Sequence, residues 1–337
     1  MVIRWPPHSF RITLGLILFL GGIYAGHRLL FPPLPLVGII QWTGEVKTFE
    51  DSLQGVTEGL REEGYQDGLN IRLEVRNARR DRDAAAAAAR DFQKEGARLL
   101  ITAGTLPTLI ALKVTQDSKI PIVYTTVAAP GATGLARPAP PAPLRFTGAS
   151  MEVPVIEQLR FLILARPALK RLGILFCTLT PQAVALGRNA EEVGLELGLV
   201  PIIRSVEDDH PDTLLKAVND LLSHHPDALF IPTDPVLVRP KNLKIICNAT
   251  SRALVPVMVA NGYSVAHGPL MSYHCDFMEM GRQAGRQAAR VLQGTPLEQV
   301  PPETPTIKRL SVNLKVAQDL NLPLPRQLLS QAYKFYP

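Results

Sequence analysis

Cysteine is scarce in this sequence of 337 residues, which has only Cys177, Cys247 and Cys275. The three lie far apart and form no CxxC pair, so the spacing indicates neither a disulfide framework nor a zinc site. We therefore expect three small buried thiols. Aromatic residues are also few, at 6% of the chain, while 46% of the residues are hydrophobic, which is ample for a folded core in about two domains.

Known catalytic and phosphate-binding motifs are missing as well. The sequence contains no GxSxG elbow, P-loop, GxGxxG fingerprint or HExxH motif. His274 and Asp276 would share one face of a strand, but a metal needs further ligands from elsewhere in the chain. We therefore expect no metal, no cofactor and no catalytic residue, and a protein that binds its ligand without transforming it.

Positive charge is not concentrated in any one segment, although the formal net charge is +6. The densest basic run, "RNARRDR" at residues 76–82, is interrupted by Asp81 and leads into an alanine-rich helix. Scattered charge of this kind does not favour nucleic-acid binding.

No apolar run reaches the ~20 residues that a membrane-spanning helix needs. The longest uncharged one, "ITLGLILFLGGIYAG" at residues 12–26, follows Arg4, His8 and Arg11 and precedes the linker "FPPLP". Basic residues before a short apolar run are typical of an export signal. We expect residues 1–35 to be a signal peptide or a retained membrane anchor plus a linker, and the folded part to be periplasmic or otherwise extracytoplasmic.

The rest of the chain alternates between apolar runs of strand length and amphipathic helical segments. Continuous apolar runs such as "LVGIIQ" at residues 36–41 are typical of parallel strands buried on both faces. A Pro- and Gly-rich break at residues 129–150 separates two such series. This pattern predicts an α/β fold with two Rossmann-like lobes, each a parallel sheet flanked by helices. A single eight-stranded barrel is the alternative.

Ligands of open parallel sheets bind beyond the carboxyl ends of the strands, so the residues at those ends are the candidates for a site. They offer hydroxyls, amides, one indole and one carboxylate. The candidate ligand-binding residues are Gln41, Trp42, Thr43, Gly104, Thr105, Thr126, Thr178, Thr233, Asp234 and Asn261.

Three of these candidates have structural interpretations that stay open at this point. Trp42 could pack against the surface or form a platform for a ligand side chain. Thr105 could cap the helix that follows it or bind an anion. Asp234 could cap the next helix or pair with a cation.

Several segments in order resemble substrate-binding proteins of ABC transporters, of the type that captures tryptophan and other aromatic amino acids. They are "GLREEGYQDGLNIRLEVRNA", "ARLLITAGTLPTLIALKV", "IPIVYTTVAAPGATGL", "FTGAS", "ALFIPTDPVLV" and "MEMGRQAGRQAARVLQGTPLEQVPPETP". The resemblance covers residues 36–324 and implies a type I periplasmic-binding-protein fold, whose two lobes close on a ligand and share a three-strand hinge. The implied lobes are residues 36–147 with 275–302 and residues 148–274 with 303–330, followed by a tail at 331–337.

The resemblance also implies roles for individual residues. The turn at Gly104 and Thr105 would hold the ligand carboxylate, Asp234 would receive its ammonium group, and Trp42 would stack on its side chain. Family members often carry acids where this chain has Ala129 and Asn261, so Asp234 is left as the expected cation partner.

The function that the resemblance implies is capture of a small organic ligand, an amino acid or related carboxylate, and its delivery to an ABC permease. The protein would act as a monomer and without nucleic acid. A membrane-anchored sensor with the same lobes is one alternative. An enzyme on the same scaffold is another, and it would need a titratable pair facing across the cleft.

Overall fold

The computed structural model describes residues 33–135 and 144–337. The apolar run expected to be an export signal or anchor therefore lies outside the described residues. Within the described ranges, no helix has both the length and the apolar character needed to cross a membrane.

The first lobe is built on a five-stranded sheet in which every neighbouring pair is parallel, in the order β2-β1-β3-β4-β5. Its strands are β1 (Leu36–Gln41), β2 (Arg72–Asn77), β3 (Leu99–Ala103), β4 (Ile122–Val127) and β5 (Phe146–Ser150). The helices between them are α1 (Lys47–Glu62), α2 (Arg82–Lys94) and α3 (Thr105–Val114).

The second lobe has a seven-stranded sheet in the order β12-β11-β10-β9-β8-β6-β7. Its strands are β6 (Arg171–Cys177), β7 (Val200–Val206), β8 (Ala228–Ile231), β9 (Val257–Val259), β10 (Met271–Cys275), β11 (Lys308–Asn313) and β12 (Ala332–Tyr336). Only the β10–β11 pair among these neighbours is antiparallel.

Helices cover both faces of this second sheet, and one further helix belongs to the first lobe. The helices after β5 are α4 (Val155–Ala165), α5 (Pro181–Glu196), α6 (Pro211–Ser223), α7 (Pro240–Arg252), α8 (Phe277–Leu292), α9 (Leu314–Asp319) and α10 (Arg326–Leu329), with short 3₁₀ segments at Gly262–His267 and Leu297–Gln299. Of these, α8 packs on α1 and on β4 and β5 of the first sheet.

Burial explains why the apolar runs form central strands. All residues of β1, β3 and β4 are buried, whereas β2 at the sheet edge has only exposed and half-buried positions. A strand covered by helices on both faces needs apolar residues at every position, which is the pattern in the sequence. Two separate sheets confirm the two-lobed α/β fold and exclude the single barrel.

Three segments of chain connect the lobes, and hydrogen bonds join them side by side. The first follows β5, the second lies between β10 and α8, and the third precedes β11. The Ser150 N–H donates to the Glu303 carbonyl at 2.9 Å, and the Asp276 N–H donates to the Ile307 carbonyl at 2.9 Å. The three crossings therefore form one bonded hinge.

Glycines allow α1 and α8 to pack with their backbones in contact. A Cβ at Gly55 would lie 2.1 Å from the Met278 carbonyl oxygen, and one at Gly281 would lie 2.1 Å from the Ser52 carbonyl oxygen. Gly59 and Gly285 are nearly as tight one turn further along the two helices. This contact attaches α8, which follows the second lobe in sequence, to the first lobe.

The structure differs from the sequence-based division at two places. β5 continues to Ser150 in the first sheet, so the expected boundary at Thr147 and Gly148 falls inside a strand. Residues 332–336, expected in a tail, form β12 and pair with β11 at the edge of the second sheet. An edge strand is half exposed and lacks the continuous apolar run that marks a central one, so the pattern did not predict it.

We predict that Gly281→Ala destabilises the fold, because the new methyl group meets backbone that cannot move without separating α1 from α8. The expected loss in the free energy of unfolding is about 2 kcal/mol or more, measured by urea denaturation. Gly131→Ala is the matched control, because nothing lies within 4 Å of a Cβ at that position. Equal stability of the two variants would contradict the close packing.

Candidate functional site

A small pocket with a volume of about 10 Å³ lies between the two lobes beside the first crossing. Ala128 and Ala129 after β4 line it from the first lobe, and Pro232 and Thr233 after β8 line it from the second. Glu152, Val153, Val155, Gln158 and Leu186 complete the lining. The pocket is therefore bounded by the carboxyl ends of strands from both sheets, which is where a parallel sheet holds its ligands.

The turn at Gly104 and Thr105 lies next to this pocket. α3 begins at Thr105. The residue before it, Gly104, has no side chain that could cap the helix, and its φ of +114° favours glycine. The Thr105 hydroxyl accepts a hydrogen bond from the N–H of Ala128, a lining residue, at 3.2 Å. An uncapped helix start leaves N–H groups without partners in the helix and attracts negative charge.

Hydroxyl groups link the end of β4 to α1. The Ser52 and Thr125 hydroxyl oxygens are 2.8 Å apart, and the Thr126 hydroxyl donates to Ser52 at 3.0 Å. Thr126 has a φ of +58°, a backbone conformation that is uncommon for a threonine. The predicted site residue Thr126 is thus buried and fixes the direction of the chain into Ala128 and Ala129.

Asp234 does not face the ligand space in the way the sequence predicted. It is 1% exposed, and its carboxylate accepts hydrogen bonds from the backbone N–H groups of Cys177, Val236 and Leu237 at 2.6, 2.8 and 2.9 Å. Burial raises the pKa of Asp234, and the three N–H groups oppose that rise. The role as ammonium partner therefore has no geometric support here, and Asp234 instead ties the loop after β8 to the end of β6.

The other predicted residues are not all brought together. Gln41 and Thr43 are buried at the end of β1, and Trp42 is half-buried against the apolar core of the first lobe. Thr178 is exposed, and its hydroxyl donates to the Val206 carbonyl at the outer edge of the second sheet. Of the predicted residues in the second lobe, only Thr233 lines the pocket.

Asn261 lies in a contact between the lobes that the sequence did not reveal. Its amide donates to the Thr48 hydroxyl at 3.1 Å, and the Tyr263 hydroxyl donates to the Asp51 carboxylate, which also pairs with Lys47. We call these residues, Lys47, Thr48, Asp51, Asn261 and Tyr263, the latch. Burial and the Asp51 carboxylate raise the pKa of Tyr263, so its hydroxyl keeps its proton.

Other titratable groups are buried within the lobes. The three cysteines are free and buried, as expected, and burial raises the pKa of Cys247 to about 12. Burial lowers the pKa of His274 to about 4, and its Nε2 lies 3.1 Å from the Ser311 hydroxyl. Within residues 33–135 and 144–337, no group of three His, Cys, Asp or Glu side chains is placed to hold a metal.

Sequence reasoning missed Glu152, Asp51 and Tyr263. Glu152 lies in a chain crossing and not at a strand end, so the strand-end rule did not reach it. Asp51 is on a helix and Tyr263 in a 3₁₀ segment, and nothing in their sequence spacing shows that they meet. The one feature of the sequence that could have pointed to Glu152 was the chain crossing expected near Gly148.

Comparison with known proteins identifies the family. The sequence model for ABC transporter substrate binding proteins matches residues 37–336. The chain belongs to this family. A curated relative, the tyrosine-binding protein of Clostridioides difficile (strain R20291), is 24% identical over 290 residues, which are 85% of this substrate-binding protein and 81% of the relative.

Solved structures share the fold. The ABC domain from Streptococcus pneumoniae in complex with L-Trp has a TM-score of 0.78 and 19% identity, covering 90% of this substrate-binding protein and 100% of that chain. A ligand-free, open substrate-binding protein with adhesive properties from Clostridium difficile has a TM-score of 0.75 and 21% identity, covering 90% and 99%. The architecture is that of the type I periplasmic binding proteins.

We predict that Tyr263→Phe weakens the latch, because it removes the hydroxyl that donates to the Asp51 carboxylate. A hydrogen bond to a charged group contributes about 1.5–3 kcal/mol. Small-angle X-ray scattering without ligand should show a larger radius of gyration for the variant. Tyr333→Phe on the exposed edge strand β12 is the control, and an unchanged radius in both variants would contradict a latch.

Proposed function

We propose that this substrate-binding protein captures an amino acid or a related carboxylate between its lobes and delivers it unchanged to an ABC permease outside the cytoplasm. The observation that carries the proposal is that strand ends of both lobes meet around a pocket next to the uncapped start of α3. The pocket has a volume of about 10 Å³, so the cleft has to widen to admit an amino acid. Free N–H groups and the positive end of the helix dipole suit a carboxylate. The curated relative from Clostridioides difficile is named a tyrosine-binding protein, and the ABC domain from Streptococcus pneumoniae was solved in complex with L-Trp.

The pocket chemistry also supports carriage over catalysis. Its lining combines apolar side chains with Thr233, Gln158 and one carboxylate, Glu152. A hydrolytic or proton-transfer site needs a nucleophile or an acid with a base in hydrogen-bond reach, and these lining residues form no such pair. We accordingly propose a monomeric carrier that acts without cofactor, metal or nucleic acid.

A thermal-shift screen against the twenty amino acids and their deaminated acids tests the ligand class. A ligand at 100 times its Kd should stabilise the fold by about 2.7 kcal/mol. For a chain of this size, that corresponds to a rise in Tm of roughly 5 °C. The absence of any such shift among these compounds would contradict the proposal.

The variant Thr105→Val tests the proposed carboxylate turn. We expect it to lower the ligand affinity about tenfold or more, because the hydroxyl is lost and the Ala128 segment beside the pocket loses its hydrogen bond. Thr115→Val is the matched control: it removes another buried threonine hydroxyl, which donates to the Ala111 carbonyl at the far end of α3. Isothermal titration calorimetry with the best ligand from the screen should separate the two variants.

A further inference from the structure

Glu152 brings a carboxyl group to the lining of the pocket. It lies in the first crossing, between the end of β5 at Ser150 and the start of α4 at Val155. It lines the pocket together with Ala129 of the first lobe and Thr233 of the second. Among the lining residues that the structure describes, it is the only charged one.

The Glu152 carboxylate has no partner among the described residues. No hydrogen bond or ion pair within residues 33–135 and 144–337 involves its side chain, although it is half-buried. Burial alone raises its pKa, and no cationic side chain opposes that rise. A partly desolvated acid without a partner is unfavourable by itself and is stabilised by any cation that enters beside it.

Two buried hydroxyls of the first lobe, which do not line the pocket, also lack partners among the described residues. The hydroxyl of Tyr124, which is fully buried, and that of Ser150, two residues before Glu152, lack hydrogen-bond partners in the described part of the chain. Burial, and to a smaller extent the charge of Glu152, raise the pKa of Tyr124. These groups are built into the first lobe and the hinge, and the lobe interior does not satisfy them.

Two groups of opposite charge lie beside the pocket, although the start of α3 does not itself line it. The uncapped start of α3 is linked to the pocket by the Thr105–Ala128 hydrogen bond and carries the positive end of a helix dipole. Glu152 supplies negative charge beside the hinge. A ligand with both a carboxylate and an ammonium group matches this arrangement. A carboxylic acid without an amino group could interact favourably only with the start of α3.

We propose that Glu152 receives the ammonium group of an amino-acid ligand, the role that the family resemblance implied for Asp234. This inference rests on the proposed function and deepens it. Asp234 already accepts three backbone N–H groups, and Ala129 and Asn261 carry no charge at the positions where acids were expected. Glu152 therefore decides whether the protein prefers an amino acid to the same acid without its amino group.

The test compares each amino acid with its deaminated counterpart in the wild type and in Glu152→Gln. The probes are L-tyrosine with 3-(4-hydroxyphenyl)propionate and L-tryptophan with 3-(indol-3-yl)propionate, measured by isothermal titration calorimetry. One charge-assisted hydrogen bond corresponds to about a 10- to 150-fold preference for the amino acid in the wild type. Glu152→Gln should lower the affinity for the amino acid about tenfold or more and leave that for the deaminated acid unchanged.

Glu192→Gln is the matched control, because it removes the same charge from an exposed position on α5 and should keep the wild-type preference. A preference retained in Glu152→Gln, or an equal loss of affinity for both ligands, would overturn the role of Glu152 while leaving the proposed function standing. Failure of the wild type to bind either amino acid would instead overturn the amino-acid ligand class, and the role of Glu152 with it.

Discussion

The backbone contact between α1 and α8 is the interaction on which the arrangement of this protein depends. α8 follows the second lobe in sequence and would leave the first lobe incomplete if it packed elsewhere. Glycines on both helices bring the two backbones together, and this fixes α1 against the sheet. α1 in turn carries Ser52, which orients the end of β4, and Asp51, which meets the second lobe. The glycine-lined interface thus holds in place the helix that contacts both the end of β4 and the second lobe.

The hinge and the latch lie on different parts of the boundary between the lobes. The hinge consists of three chain segments joined by backbone hydrogen bonds, and those bonds do not depend on side chains that a ligand could displace. The latch consists of side chains that solvent can replace. When a two-lobed protein opens by rotation about its crossings, the side-chain contacts of the latch break and the backbone hydrogen bonds of the hinge remain. The cleft can therefore change its width while the lobes keep their internal structure.

The fold was predictable from the sequence because its signals are local: buried parallel strands need continuous apolar runs, and β1, β3 and β4 have them. The sequence pattern did not predict β12, because "AYKFY" is half exposed at a sheet edge. The candidate site was harder to predict from the sequence than the fold. The strand-end rule found Thr105, Thr126 and Thr233 near the pocket, yet it also selected Asp234, whose neighbours in sequence fold back to bind it. Whether a carboxylate faces a ligand or its own turn depends on backbone directions that spacing does not encode.

The return of α8 to the first lobe also affects how the chain acquires its structure. On the order of 200 residues separate α1 from α8 in the sequence. Contacts between segments so far apart make folding slow. On a ribosome or in a translocation channel, the N-terminal half is made first but has nothing to close its α1 surface. The first lobe is thus completed only near the end of synthesis, and the two halves of the protein reach their final form almost together.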